Sequence, residues 1–196
     1  ADLDGIPVVI SRTGWTAVVG YEIYLRDPSR GDDLWERILD AGKPHNIRVT
    51  PSSDIRRIEA GIFDWGSDFG LETNPFEVTG LERLVEAQDA DYIGKEALER
   101  IRREGVPRKL VGLELPGEPV MQPAQHWPVS IDGTQVGHVT DACWSPRLEK
   151  NIGYVWVPID KAQPGIRLDV ETDEGERPGV TAALPFIDPQ KKVPAV

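Results

Sequence analysis

The sequence predicts an α+β chain in which a strand hairpin with helices, part of a larger α/β core, precedes a C-terminal antiparallel β-barrel. Two observations carry this. Before residue 106, apolar residues recur at helical spacing in three separate segments, set among Gly- and Pro-rich connections. From residue 108 the pattern changes to short alternating strands punctuated by Asp132-Gly133 and Glu174-Gly175 turns.

In chain order, Val8–Ser11 and Tyr21–Leu25 read as strands, joined by an elaborated loop that contains Gly14 and ends at Gly20. A period of two puts Tyr21, Ile23 and Leu25 on one face and Glu22 with Tyr24 on the other. Asp32–Ala41 places Leu34, Trp35, Ile38 and Ala41 at helical spacing, with acids in its first turn and Gly42 and Pro44 as stop signals. A second helix is expected over Ser53–Ala60, with Ile55 and Ile58 apolar and Gly61 at its end; it carries Arg56, Arg57 and Glu59. Residues 64–80, rich in Gly, Asp, Asn and Pro, read as a long structured loop. A third helix spans Gly94–Arg103, with Ala97, Leu98 and Ile101 inward and Gly105 and Pro107 closing it.

Strands follow at Lys109–Leu115, Val129–Ile131, Gln135–Val139, Gly153–Val157, Leu168–Glu171 and Val180–Leu184, with Val111, Leu113 and Leu115 sharing a face. The division this predicts is a core portion over 1–105, a barrel domain over 106–188 and a loose tail over 189–196.

Composition narrows the function classes. The 196 residues include 33 acidic and 22 basic side chains, a formal charge of −11. Basic runs go no further than the pairs Arg56–Arg57, Arg102–Arg103 and Lys191–Lys192, so neither nucleic acid nor an anionic membrane is an expected partner. The single cysteine, Cys143, forms no internal disulfide, which points to a reducing cytoplasm, and no Cys/His spacing suggests a metal site. The start of the chain lacks an initiator Met, a basic n-region and an apolar h-region, and it reads like the middle of a longer protein.

No nucleophile and base declare themselves. His45, His126 and His138 lie in different segments, and Cys143, before the Trp144-Ser-Pro146 turn signal, reads as a small buried residue beside a turn. There is no phosphate loop of the P-loop or dinucleotide type. What remains is Trp15, Glu22, Tyr24 and Arg57. A planar heterocycle with adjacent N–H donors would suit them, since a carboxylate accepts two parallel hydrogen bonds while aromatic faces supply apolar area. Ordinary packing of Trp15 and a solvated Glu22/Tyr24 face account for the same residues without a ligand.

Eight ordered motifs bear on that choice: Ser11-Arg-Thr-Gly-Trp-Thr16 with Gly20-Tyr-Glu-Ile-Tyr24, Ile55-Arg-Arg-Ile-Glu-Ala-Gly61, Thr73-Asn-Pro-Phe-Glu77, Tyr92-Ile-Gly-Lys-Glu-Ala-Leu98, Arg108-Lys-Leu-Val-Gly-Leu113, Ser145-Pro-Arg-Leu-Glu-Lys-Asn-Ile-Gly153 and Leu184-Pro-Phe186. In this order they resemble the glycine cleavage system T-protein (aminomethyltransferase) family. Trp15, Tyr24 and Asn74–Glu77 look closer to the dimethylsulfoniopropionate demethylase-like members.

The resemblance implies three domains around a central tetrahydrofolate site, with a C-terminal β-barrel last. It implies that Glu22 grips the pterin edge, that Arg57 contacts folate, and that Trp15 and Tyr24 line the pocket as in the demethylase-like members. Glu59 and Glu77 are motif members of structural role. The family's catalytic aspartate lies upstream, so the resemblance places no catalytic residue in this chain. It implies that the chain alone is inactive and that its own N-terminal half is a partner.

The activity so implied is tetrahydrofolate-dependent transfer of a methyl or aminomethyl group from a small-molecule donor, with a lipoyl carrier protein as a further partner. The apolar loop Thr16-Ala-Val-Val-Gly20 departs from the polar or acidic stretch expected there and leaves the donor open. Two alternatives share the fold. One is the C-terminal folate module of a flavin-dependent dimethylglycine or sarcosine dehydrogenase. The other is a non-catalytic folate-binding protein of the iron–sulfur repair type, whose Lys-Gly-Cys-Tyr-like motif is not matched at Tyr92–Lys95, where there is no cysteine.

Overall fold

The computed structural model describes residues 1–85 and 89–190; of the expected loose tail, 191–196 lie outside the described residues. The chain divides into two compact units, Ala1–Ser53 and Asp54–Pro189.

In the first unit, β1 (Asp2–Leu3), β2 (Ile6–Ser11) and β3 (Glu22–Leu25) form an antiparallel sheet in that order. Asp4 and Gly5 turn β1 into β2, both at positive φ (51° and 80°), the geometry a two-residue hairpin requires. The register of β2 on β3 pairs Val9 with Tyr24 and Ser11 with Glu22. Helix α1 (Gly31–Gly42) covers the other face: Leu34 and Ile38 pack on Ile6, Val8, Leu3 and Leu25. The helix ends at Gly42 and continues into a short 3₁₀ turn, Lys43–His45, closed by left-handed Asn46.

In the second unit, α2 (Asp54–Glu59) and α3 (Lys95–Glu104) precede six strands: β4 (Arg108–Leu115), β5 (Trp127–Ile131), β6 (Thr134–Ser145), β7 (Lys150–Pro158), β8 (Arg167–Thr172) and β9 (Gly175–Ala182). They close into an antiparallel barrel, β4-β7-β6-β5-β8-β9. Period-two alternation fills two cores at once. Val111, Leu113, Val129, Val139, Val155, Leu168 and Val170 face the barrel interior. Leu110, Cys143, Ile152, Tyr154 and Trp156 point outward, against Ile58 of α2 and Val78, Phe63 and Phe69 of the 60–80 segment.

One expectation needs correction. Strand β6 does not stop at Val139 but runs to Ser145, because its second half is buried beneath α2 and pairs with β7 throughout. Cys143 therefore sits within a strand opposite Ile152, buried. A bulge between Val139 and Asp141 shifts the register. Opposite it the chains come so close that a Cβ on Gly153 would strike the backbone oxygen of Asp141. On helix α3, Ala97, Leu98 and Ile101 are half-buried while Glu96, Glu99, Arg100 and Arg102 are exposed, the inward and outer faces expected.

Candidate functional site

On β3, the Tyr24 hydroxyl donates to Glu22 Oε2 at 3.0 Å, so the two side chains share a face, as the strand period predicts. Thr13 donates to the same oxygen from the β2–β3 loop, and its hydroxyl lies 3.0 Å from that of Ser11. Trp15, Val18 and Val19 stand in that loop. Trp15 is 36% and Tyr24 53% exposed, while Glu22 is half-buried. The first unit thus presents a carboxylate fixed by hydroxyl groups on a partly apolar, accessible face. That arrangement suits a flat polar heterocycle whose N–H groups meet the carboxylate.

Arg57, the fourth candidate, belongs to the second unit and is 1% exposed. Its Nε donates to Asp54 at 2.7 Å, Nη1 to Asp68 Oδ2 at 2.9 Å, and Nη2 to Asp141 Oδ2. Asp68 also accepts from the Asp64 backbone N–H and the Thr140 hydroxyl, both at 2.7 Å. Gln122 donates to Asp141 Oδ2 at 3.2 Å. Burial works against the charged guanidinium, but the hydrogen bond to Asp54 and the charges of Asp68 and Asp141 outweigh it and hold the Arg57 pKa above its ordinary value. Burial pushes Asp141 up to about 6; Arg57 pulls it down and Asp68 adds to the rise.

Barrel side chains fasten this cluster. The Tyr154 hydroxyl lies 3.1–3.3 Å from the carbonyls of Arg57, Ile58 and Ile62. The Trp156 indole N–H donates to the Asp68 carbonyl at 2.9 Å. Glu59 accepts from Ser145 at 2.6 Å; Glu77 accepts from the Asn74 backbone and from Arg108. Both glutamates hold segments together.

Asp68, Thr140, Asp141 and Tyr154 are members the sequence reading did not single out. The available signal was a carboxylate inside what proves to be a strand, at Asp141. Among the described residues no group of His, Cys, Asp and Glu is arranged to hold a metal ion, and no helix is long and apolar enough to cross a membrane.

Two family models match the chain: the GCVT N-terminal domain over residues 1–89 and the glycine cleavage T-protein C-terminal barrel domain over 108–188. An aminomethyltransferase of Halothermothrix orenii is 36% identical over 189 residues, which cover 94% of this chain and 51% of that protein. A dimethylsulfoniopropionate demethylase of Ruegeria pomeroyi is 36% identical over 175 residues, 89% of this chain and 47% of that one. In fold, the chain superimposes on a crystal structure of the glycine cleavage system aminomethyltransferase T from Bartonella henselae with a TM-score of 0.76 at 24% identity, covering 91% of this chain and 49% of the other. The chain spans about half the length of the curated relatives it matches.

Proposed function

The chain belongs to the glycine cleavage T-protein family, and from that premise we propose that it is part of a cytoplasmic, tetrahydrofolate-dependent one-carbon transferase. The reaction moves a methyl or aminomethyl group from a small-molecule donor, or from a lipoyl carrier protein, to the folate. The observation that carries the reading is the Glu22–Tyr24 pair on an accessible strand face, with Trp15 in the adjoining loop. Residues 1–105 form part of the folate-binding core and 106–188 the barrel domain.

In this reading Glu22 accepts the N–H groups of the pterin edge, while Tyr24 and Trp15 supply ring area beside it. Tyr24 and Thr13 fix the carboxylate before the ligand arrives, so little side-chain freedom is lost on binding. Arg57 is a positioning residue: at 1% exposure it organises α2 and the 64–70 segment through its three aspartates. When bound, tetrahydrofolate supplies the nitrogen that receives the one-carbon unit. The chain's contribution is orientation, which is a large part of the barrier when a weak nucleophile must meet a donor carbon.

The aminomethyltransferase and demethylase relatives bracket the donor. The exposed, apolar Val18 and Val19 favour a methylated donor over a strongly anionic one. Titrating tetrahydrofolate into the protein while following tryptophan fluorescence tests the site. Saturable quenching that falls in Trp15→Phe is expected; no quenching, or quenching unchanged in that variant, removes Trp15 from the pocket.

A further inference from the structure

The Arg57 cluster holds more negative charge than it neutralises. One guanidinium meets three carboxylates, of which Asp68 and Asp141 are at most 2% exposed and Asp54 is half-exposed. The side-chain donors that reach Asp141, Arg57 Nη2 and Gln122 Nε2, both bond to Oδ2, and the Ala142 backbone N–H also favours the charged carboxylate. Oδ1 is buried with no hydrogen-bond partner. A buried carboxylate oxygen left bare is costly, and a carboxylate bonded through one oxygen is half of a bidentate acceptor. The two donors also differ in origin. Arg57 comes from the buried face of α2, whereas Gln122 is an exposed residue of the β4–β5 connection. The neutral Gln122 amide is therefore the displaceable donor on Oδ2, and Arg57 the fixed one.

We propose that Asp141 is a binding site for an organic cation carrying N–H donors, a primary ammonium or amidinium group, which displaces the Gln122 amide and donates to Oδ1. The surplus carboxylate charge offsets repulsion from Arg57, and a group with several N–H donors satisfies Oδ1 while sharing Oδ2. A quaternary ammonium, lacking N–H, leaves Oδ1 bare. The site lies wholly within Asp54–Pro189 and does not depend on the folate reading, whose Glu22 face belongs to the other unit.

A proton competes for the same oxygen. The groups around Asp141 are Arg57 and Asp54 of α2, Asp68 of the 64–70 segment, Cys143 on its own strand and Tyr154 of β7. Burial first, then Asp68, raises its proton affinity so that it titrates at about 6. Cation affinity is therefore about tenfold weaker at pH 5 than at pH 7.5.

The test follows the Gln122 side-chain amide signals by NMR during titration of the whole chain with methylammonium. At pH 7.5 these signals move saturably with methylammonium, not with tetramethylammonium at equal ionic strength. The affinity falls about tenfold at pH 5 and is lost in Asp141→Asn. Gln122→Ala, an exposed loop change, binds more tightly, read from the Trp127 and Asp141 backbone signals. No saturable shift in the wild type, or an equal response to tetramethylammonium, overturns the proposal. Where Asp141→Asn fails to fold, the wild-type pH comparison decides: equal affinity at pH 5 and 7.5 overturns it.

Discussion

Arg57 Nη1 lies 2.9 Å from Asp68 Oδ2, with both side chains at most 1% exposed. This pair fastens the irregular 64–70 segment to α2, and Asp68 passes the attachment to the barrel through Thr140 of β6 and Trp156 of β7. An ion pair so enclosed gains little over apolar packing, yet breaking it by halves is expensive, because the remaining charge has no water to turn to.

Arg57→Met leaves Asp68 and Asp141 buried without their cation and should lower unfolding free energy by roughly 3–5 kcal/mol. Urea denaturation followed by circular dichroism measures this. Arg57→Lys keeps the charge but loses the planar fork, so its loss should be smaller. A wild-type midpoint for Arg57→Met would contradict the cluster's role.

Tyr154→Phe keeps the ring against Phe63, whose centroid is 4.6 Å away, and removes the hydroxyl that reaches the carbonyls of α2 and Ile62. The expected cost is about 1 kcal/mol with an unchanged denaturant slope, since the ring still fills its space.

Asp141 gives stability a definite pH dependence. Its pKa is about 6 in the fold against an ordinary 3.8, so between those values the folded state binds the proton that the unfolded chain releases. The contribution is full below about pH 4 and is lost as pH rises through 6. Melting temperatures should therefore show a fall across this window in the wild type that is missing in Asp141→Asn.

Cys143 tests the burial of the extended β6. Burial first, then the nearby Asp141 and Glu59, push its thiol up to about 12, so the thiolate is scarce at neutral pH. A disulfide reagent at pH 8 should react with the folded protein far more slowly than with the urea-unfolded chain. Equal rates would place Cys143 outside the strand interior.

The alternating strands were legible because period two survives in short segments such as Lys109–Leu115. The same period put Glu22 and Tyr24 on one face. The second half of β6 was not legible. Thr140-Asp-Ala-Cys143 is buried along its length, so it carries no polar/apolar alternation, and the Thr140 hydroxyl and Asp141 Oδ2 meet groups distant in sequence. Arg57 stood out from its motif, but its environment did not. Asp68 sits in a Gly- and Asp-rich stretch that reads as a structured loop without periodicity, and Asp141 lay beyond the expected strand end. Buried charge pairing 11 and 84 residues apart leaves no local pattern to read.

In the proposed function Glu22 recognises tetrahydrofolate. Calorimetric titration of tetrahydrofolate into the wild-type chain and Glu22→Ala measures it directly. One site per chain is expected, weakened by roughly 1–3 kcal/mol in the variant, the cost of leaving ligand donors unpaired. Equal affinity in the two proteins would contradict it.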